Sequence, residues 1–315
     1  MKKIYRLIIA TIMVLGLVSL TSCSKTENDK KLTIVTTSYP SYDFSRAITK
    51  GSKDIKVKML LKPGAEMHTF EPSPRDIKDI KNSDLFIYNG GDSDEWVEKV
   101  LKNIDKNKTK VIKLMDLVDT VEEEVIEGME EEHEGEGEEK ELDEHVWTSP
   151  VNAGIITSKL KNEIIKLDVN NKELYKKNTN SFLDELNKID KEITDIVKTS
   201  KRKEIIFGDR FPLRYFVDRY NLKYFAAFPG CSEQTEASAK TISFLINKVK
   251  EDKMPVIFHI ELSNGKLAST IAKETGAKVL EFKTAHNISQ KDFDAGVTYV
   301  DIMKDNIKVL REALN

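Results

Sequence analysis

From residue 32 onward, short apolar runs alternate with segments whose apolar positions recur every three or four residues. Residues 32–37, 55–61, 84–88 and 111–114 read as strands, and 42–49, 74–81 and 95–103 as helices. The rhythm returns at 204–207, 224–228, 256–260 and 279–282 for strands, with helices over 237–250 and 266–273 and a closing helix over about 295–314. Such alternation predicts parallel sheets with helices on both faces. Between the two halves, 172–201 contains no Gly or Pro and no strand pattern. Its apolar residues Tyr175, Phe182, Leu186, Ile189, Ile193 and Ile196 fall on one stripe. The spacing predicts one helix of roughly 25–30 residues, on the order of 40 Å long. It is either the core helix of one domain or, given its place midway, a spine shared by two lobes. The expected fold is therefore α/β, with two parallel-sheet βα lobes, 32–171 and 202–315, joined by a long rigid helix over 172–201. In such sheets ligands bind beyond the carboxyl ends of the strands, so residues just after each strand are the candidates.

The N-terminus follows a different pattern. Lys2, Lys3 and Arg6 precede fourteen uncharged residues, 7–20. That run is too short for a spanning helix, which needs about 20 apolar residues, and suits a signal-peptide core. Leu20-Thr21-Ser22-Cys23 follows and resembles the bacterial lipobox, in which the cysteine is lipidated and becomes the mature N-terminus. The expectation is a signal peptide over 1–22, lipidation at Cys23, a polar tether over 23–31, and an extracytoplasmic protein anchored to the bacterial cell membrane.

Charge changes the picture once its distribution is considered. The 315 residues carry 53 acids and 50 bases, a net of −3, which excludes a strongly basic nucleic-acid binder. Yet residues 121–145 hold fourteen acids and a single base, Lys140. A mildly basic body thus carries one intensely acidic insert. Such an insert reads as a solvated surface segment. Its field raises the local cation concentration within about 8 Å at physiological ionic strength.

Only two cysteines occur, Cys23 and Cys231. With Cys23 acylated no intrachain disulfide forms, and zinc sites needing two or more cysteines are excluded by count. Cys231, after Phe228-Pro229-Gly230, reads as a small buried filler. The five histidines are His68, His133, His145, His259 and His286. His68 follows a strand end and the Pro63-Gly64 turn. His145 ends the acidic run in Asp143-Glu144-His145-Val146-Trp147, where a neighbouring carboxylate can orient a ligating imidazole.

These segments, Pro63-Gly64 with His68 and Glu71-Pro72, and Asp143 through Pro150, resemble two motifs of the metal-binding lipoproteins that serve ABC importers of zinc and manganese. The resemblance extends through Asn89-Gly90-Gly91 with Glu95-Trp96 to Gly296-Val297-Thr298-Tyr299 with Met303 and Asn306, and covers essentially 32–315. It implies two α/β lobes joined by one long helix, with metal in the cleft between them, and His68 and His145 as ligands. Family ligands also come from the second lobe, where this chain departs from the usual pattern. The expected histidine after the first strand of that lobe is missing from Phe207-Gly208-Asp209-Arg210. Asp209 either takes its place or pairs with Arg210. After the last strand, Lys283-Thr284-Ala285-His286 offers His286. His259 reads as a packed strand residue. Glu261 either ligates, orients a ligand or holds the loop.

Three imidazoles and one carboxylate, expected as His68, His145, His286 and Asp209, suit Zn2+, with Mn2+ as the alternative. The reading is a monomeric receptor that captures Zn2+ and delivers it to an ABC permease in the membrane. It is not an enzyme: no phosphate loop and no His-Glu-x-x-His helix occur. An extracytoplasmic zinc hydrolase is the weaker competitor, because four filled positions leave no site for activated water.

Overall fold

The structure, a computed structural model, describes residues 31–129, 141–232 and 236–315. The signal segment, Cys23 and His133 lie outside the described residues. Among the described residues no helix is long and apolar enough to cross a membrane.

The apolar runs of the first half pair as one parallel sheet. It comprises β1 (Leu32–Thr36), β2 (Ile55–Met59), β3 (Leu85–Tyr88) and β4 (Lys110–Lys113), in the order β2-β1-β3-β4. Successive side chains of a strand face opposite sides. Accordingly Ile34, Leu85 and Ile87 enter one core, and Val35, Phe86 and Tyr88 the other. The helices α1 (Tyr39–Thr49), α2 (Pro74–Asn82) and α3 (Glu95–Leu101) make the crossovers. The start of α2 is fixed by Pro74 and by a capping box between Ser73 and Asp76.

Two long helices follow, α4 (Pro150–Leu167) and α5 (Lys172–Thr199). All six stripe residues of α5 are buried. Burying each contributes about 1.5–3 kcal/mol. The first half of α5 holds the first sheet's layer, with Asn178 donating to the Ile48 and Lys50 carbonyls and Tyr175 to Ser52. Its second half faces later elements, through Asp190 to Arg219 and Glu192 to Arg311.

The second half of the chain contains β5 (Glu204–Ile206), β6 (Arg210–Phe211), α6 (Arg214–Tyr220), β7 (Lys223–Phe225) and β8 (Phe228–Pro229). It continues with α7 (Ala239–Glu251), β9 (Val256–Ile260), α8 (Lys266–Thr275), β10 (Lys278–Phe282), α9 (Gln290–Asp294) and α10 (Tyr299–Leu314). The pairs β5–β7, β6–β8 and β9–β10 are parallel, and a parallel bridge from Phe207 to Phe258 links β5 to β9. The run at 224–228 is two strands rather than one. The Asp209 carbonyl takes the Ala227 N–H (3.1 Å), which moves the pairing from β5 to β6. The closing helix begins at Tyr299, later than its apolar pattern implies. Gly296 at φ +75° breaks the backbone there, and Thr298 caps α10 through Asp301.

The ends of the acidic insert are ordered, contrary to a wholly solvated segment. Glu122 and Leu142 form an antiparallel bridge, and Val121 accepts the Asp143 N–H (2.9 Å). This neck is pinned to the second half by Glu123, which accepts the Cys231 N–H (2.9 Å), and by Glu124 beside Arg214 (3.2 Å).

Asp43 on α1 is buried and accepts the Tyr299 N–H (2.8 Å), joining the first helix to the last. Burial pushes its carboxyl up from 3.8 to about 6, with the Tyr299 N–H and Arg46 only partly opposing. A folded-state pKa above the unfolded value means that ionisation opposes folding. This penalty is complete above about pH 6 and relieved as pH falls toward 4. Asp43→Asn, which keeps an acceptor for Tyr299, is expected to be more stable than the parent at pH 8 by on the order of 1–3 kcal/mol. The gap should close near pH 4. Urea melts at both pH values check this, and an unchanged gap would refute it.

Candidate metal centre

Three loops at strand ends or helix starts carry the site. His68 lies on the loop after β2, His145 in the turn leading into α4, and His286 on the loop after β10. Hydrogen bonds tie these loops together. The Asn287 amide donates to the Lys62 (2.8 Å) and Ala65 (2.6 Å) carbonyls, and Gly64 N–H to the Ile288 carbonyl (2.8 Å). Trp147 Nε1 donates to the Thr284 carbonyl (3.0 Å), and the Tyr299 hydroxyl donates to the Trp147 carbonyl (2.6 Å).

The result is a buried triangle of imidazoles. Ring centroids are 5.9 Å apart for His68 and His145, 5.0 Å for His68 and His286, and 4.7 Å for His145 and His286. The Nε2 atoms of all three are buried and have no hydrogen-bond partner among the described residues. An unpaired buried polar atom is costly, and three facing one another are unusual. On His68 and His145 the other ring nitrogen is engaged. His68 Nδ1 meets Ser93 Oγ (2.9 Å), and His145 Nδ1 meets Asp143 Oδ1 (3.1 Å). Such partners fix ring orientation and leave the Nε2 lone pair free to bind a metal.

Glu144 supplies the carboxylate. Together with His68, His145 and His286 it offers ligand atoms all within 4.8 Å of one another. Ser93 holds it through both its N–H (3.0 Å) and its hydroxyl. Gly91 permits the approach: at φ +73°, a Cβ there would lie 2.6 Å from Glu144 Cβ.

The electrostatics favour a cation. Burial, reinforced by the neighbouring imidazole and Arg210, drives the His68 pKa down to about 3. Burial likewise holds His286 well below the ordinary value. Both rings are therefore neutral and able to ligate. Burial also opposes charge on His145, but Asp143 beside it raises its pKa overall. Glu144 is pushed up to about 7 by burial, with Ser93 and His145 opposing. Three imidazoles and one carboxylate stripped of water are what a divalent ion would stabilise.

Of the residues singled out in the sequence, the structure brings His68, His145 and His286 together but not Asp209. Its Oδ1 accepts the Arg210 N–H (2.9 Å) and its Oδ2 the Ile260 N–H (3.3 Å), so its carboxylate joins backbone segments of the second half. Arg210 does not pair with it either. The guanidinium reaches Glu66 (2.9 Å) and the Ser232 carbonyl (3.1 Å). His259 stays in β9, its Nδ1 beside the Ile260 carbonyl (2.9 Å). Glu144 and Ser93, which the structure places at the cluster, are not among the candidate ligands drawn from the sequence. The only signals are that Glu144 directly precedes His145 and the apolar Val146-Trp147 pair, and that two adjacent glycines precede Ser93.

Comparison with known proteins gives the same direction. Residues 34–313 match the family model described as the periplasmic zinc-uptake complex component A. The chain is 34% identical over 301 residues to the high-affinity zinc uptake system protein ZnuA of Bacillus subtilis, covering 94% of this chain and 92% of that protein. It is 32% identical over 316 residues to the zinc-binding lipoprotein AdcA of Streptococcus pneumoniae, covering 99% of this chain but 61% of that longer protein. The solved Zn(II)-bound ZnuA-like domain of Streptococcus pneumoniae AdcA superposes with a TM-score of 0.73 at 29% identity, over 90% of this chain and 99% of that domain. The chain belongs to the family of periplasmic A components of zinc-uptake complexes.

Proposed function

We propose that this protein is an extracytoplasmic receptor that captures Zn2+ between His68, His145, His286 and Glu144 and delivers it to an ABC-type import permease. The observation that carries the reading is the set of three buried, partnerless Nε2 atoms converging beside one carboxylate. Three nitrogens and one oxygen match the tetrahedral preference of zinc, whereas manganese favours more oxygen ligands. The names of the relatives support zinc as the cargo. A filled four-ligand site leaves no open position for water activation, which fits a carrier rather than a hydrolase. In this reading the lobes span 32–171 and 202–315, with 172–201 as the joining helix. The chain works as a monomer held to the membrane by a lipid on Cys23.

Zinc binding to the folded state alone must raise its stability. At free zinc 100-fold above Kd, the expected gain is about 2.7 kcal/mol, read as a rise in Tm. One equivalent of zinc should bind in competition with a chromophoric chelator, and manganese at equal concentration should shift Tm less. A larger shift with manganese would contradict the assignment.

A further inference from the structure

Glu261 is the first residue beyond β9, and Lys283 the first beyond the adjacent β10, with Ile260 and Phe282 in register. Side by side, the two strand ends open into loops, and the second loop carries His286. Glu261 is not one of the four residues of the cluster. Its carboxylate is spent on that loop's backbone and on one hydroxyl. Oε2 accepts the Thr284 N–H (2.7 Å), and Oε1 accepts both the Thr284 hydroxyl (2.7 Å) and the His286 N–H (3.0 Å).

The turn needs this support. Ala285, between Thr284 and His286, sits at φ +59°, and Leu262 beside Glu261 at φ +62°. Left-handed backbone costs a non-glycine residue about 1–2 kcal/mol and persists only where the surroundings enforce it. Three hydrogen bonds to one carboxylate bracket Ala285 on both sides. Charge-assisted bonds of this kind are roughly twice as strong as neutral ones.

We propose that Glu261 is a positioning residue for the metal site: its buried carboxylate folds the 284–286 turn and so sets where the His286 imidazole stands against His68 and His145. It acts through His286 and does not itself ligate. This rests on the zinc-site reading above.

The test is a double-mutant cycle in the full chain, using zinc affinity by chelator competition and the cobalt(II) absorption spectrum. Glu261→Ala is expected to weaken zinc about 10–100-fold, the range for loss of a ligand's supporting partner. Added to His286→Ala, it should cost less than about twofold more, because its only route to the metal is already gone. Its cobalt bands should match those of His286→Ala. Glu261→Gln keeps an acceptor oxygen for His286 and the Thr284 hydroxyl but sets its NH2 against the Thr284 N–H, so its loss should be smaller than that of Glu261→Ala without vanishing. Wild-type affinity in Glu261→Ala, a full loss persisting in the His286→Ala background, or Glu261→Gln as damaging as Glu261→Ala would each overturn the inference. If Glu261→Ala fails to fold by circular dichroism, Thr284→Val takes its place. It should give a smaller loss that vanishes alongside His286→Ala, and an equal loss in both backgrounds would overturn the inference. Zinc binding indifferent to both His68→Ala and His145→Ala would instead sink the zinc-site reading itself.

Discussion

His145→Ala should lower zinc affinity by about two orders of magnitude, and His68→Ala with His145→Ala should remove the zinc-dependent rise in Tm altogether. Four-ligand protein zinc sites are worth about 10–16 kcal/mol, so one ligand accounts for about 3 kcal/mol. His145 is the most enclosed of the three. Its ring is buried, its Nδ1 is held by Asp143, and its own N–H donates to the same carboxylate oxygen (2.8 Å). The contrast that matters is with Asp209→Ala, which removes a carboxylate bonded to backbone N–H groups. It should change stability while leaving zinc affinity within about threefold. Chelator competition on the four proteins measures this. An Asp209→Ala loss as large as that of His145→Ala would mean that the site forms around different residues.

Trp147→Ala should be the most damaging single change outside the four proposed ligands. The side chain is fully buried and is among the largest in the core. Truncating such a residue typically costs 3–5 kcal/mol. Here the cavity would open inside the site. The Trp147 ring lies 5.5 Å from the His145 ring and 5.6 Å from the His286 ring, and its Nε1 holds the Thr284 carbonyl. Fold and zinc affinity should therefore fall together. Trp147→Phe separates the terms. It keeps most of the packing but strands the Thr284 carbonyl, a loss of about 1–3 kcal/mol. Urea melts of the metal-free proteins give these values. A loss below about 1 kcal/mol for Trp147→Ala would refute the packing argument.

Much of this architecture was legible because it follows periodicity. The α5 stripe is a geometric consequence of helical spacing, and every residue read onto it is buried. The strand positions were legible too, since central parallel strands are apolar on both faces. Boundaries slipped where a single backbone feature intervened, as at Gly296 and at the Asp209 carbonyl. The site was legible in part. His68 and His286 follow from position after strands, and His68 and His145 from motif resemblance. Glu144 did not, because one acid among fourteen carries no mark of burial. What buries it is distant in sequence: the left-handed backbone at Gly91 and the two donors of Ser93. Asp209 stands outside the cluster for the converse reason. A carboxylate after a strand is well placed for a ligand, but the Arg210 and Ile260 N–H groups take it up. Glu261 shows the same competition resolved in favour of the loop, and only the hydrogen bonds distinguish that role from ligation.

The most direct test of the central claim is an anomalous difference map at the zinc edge from crystals of the zinc-loaded protein. The account predicts one strong peak bonded to Nε2 of His68, His145 and His286, with the Glu144 carboxylate completing the shell. A principal peak at Asp209 or within the acidic insert, with the three imidazoles unligated, would contradict it.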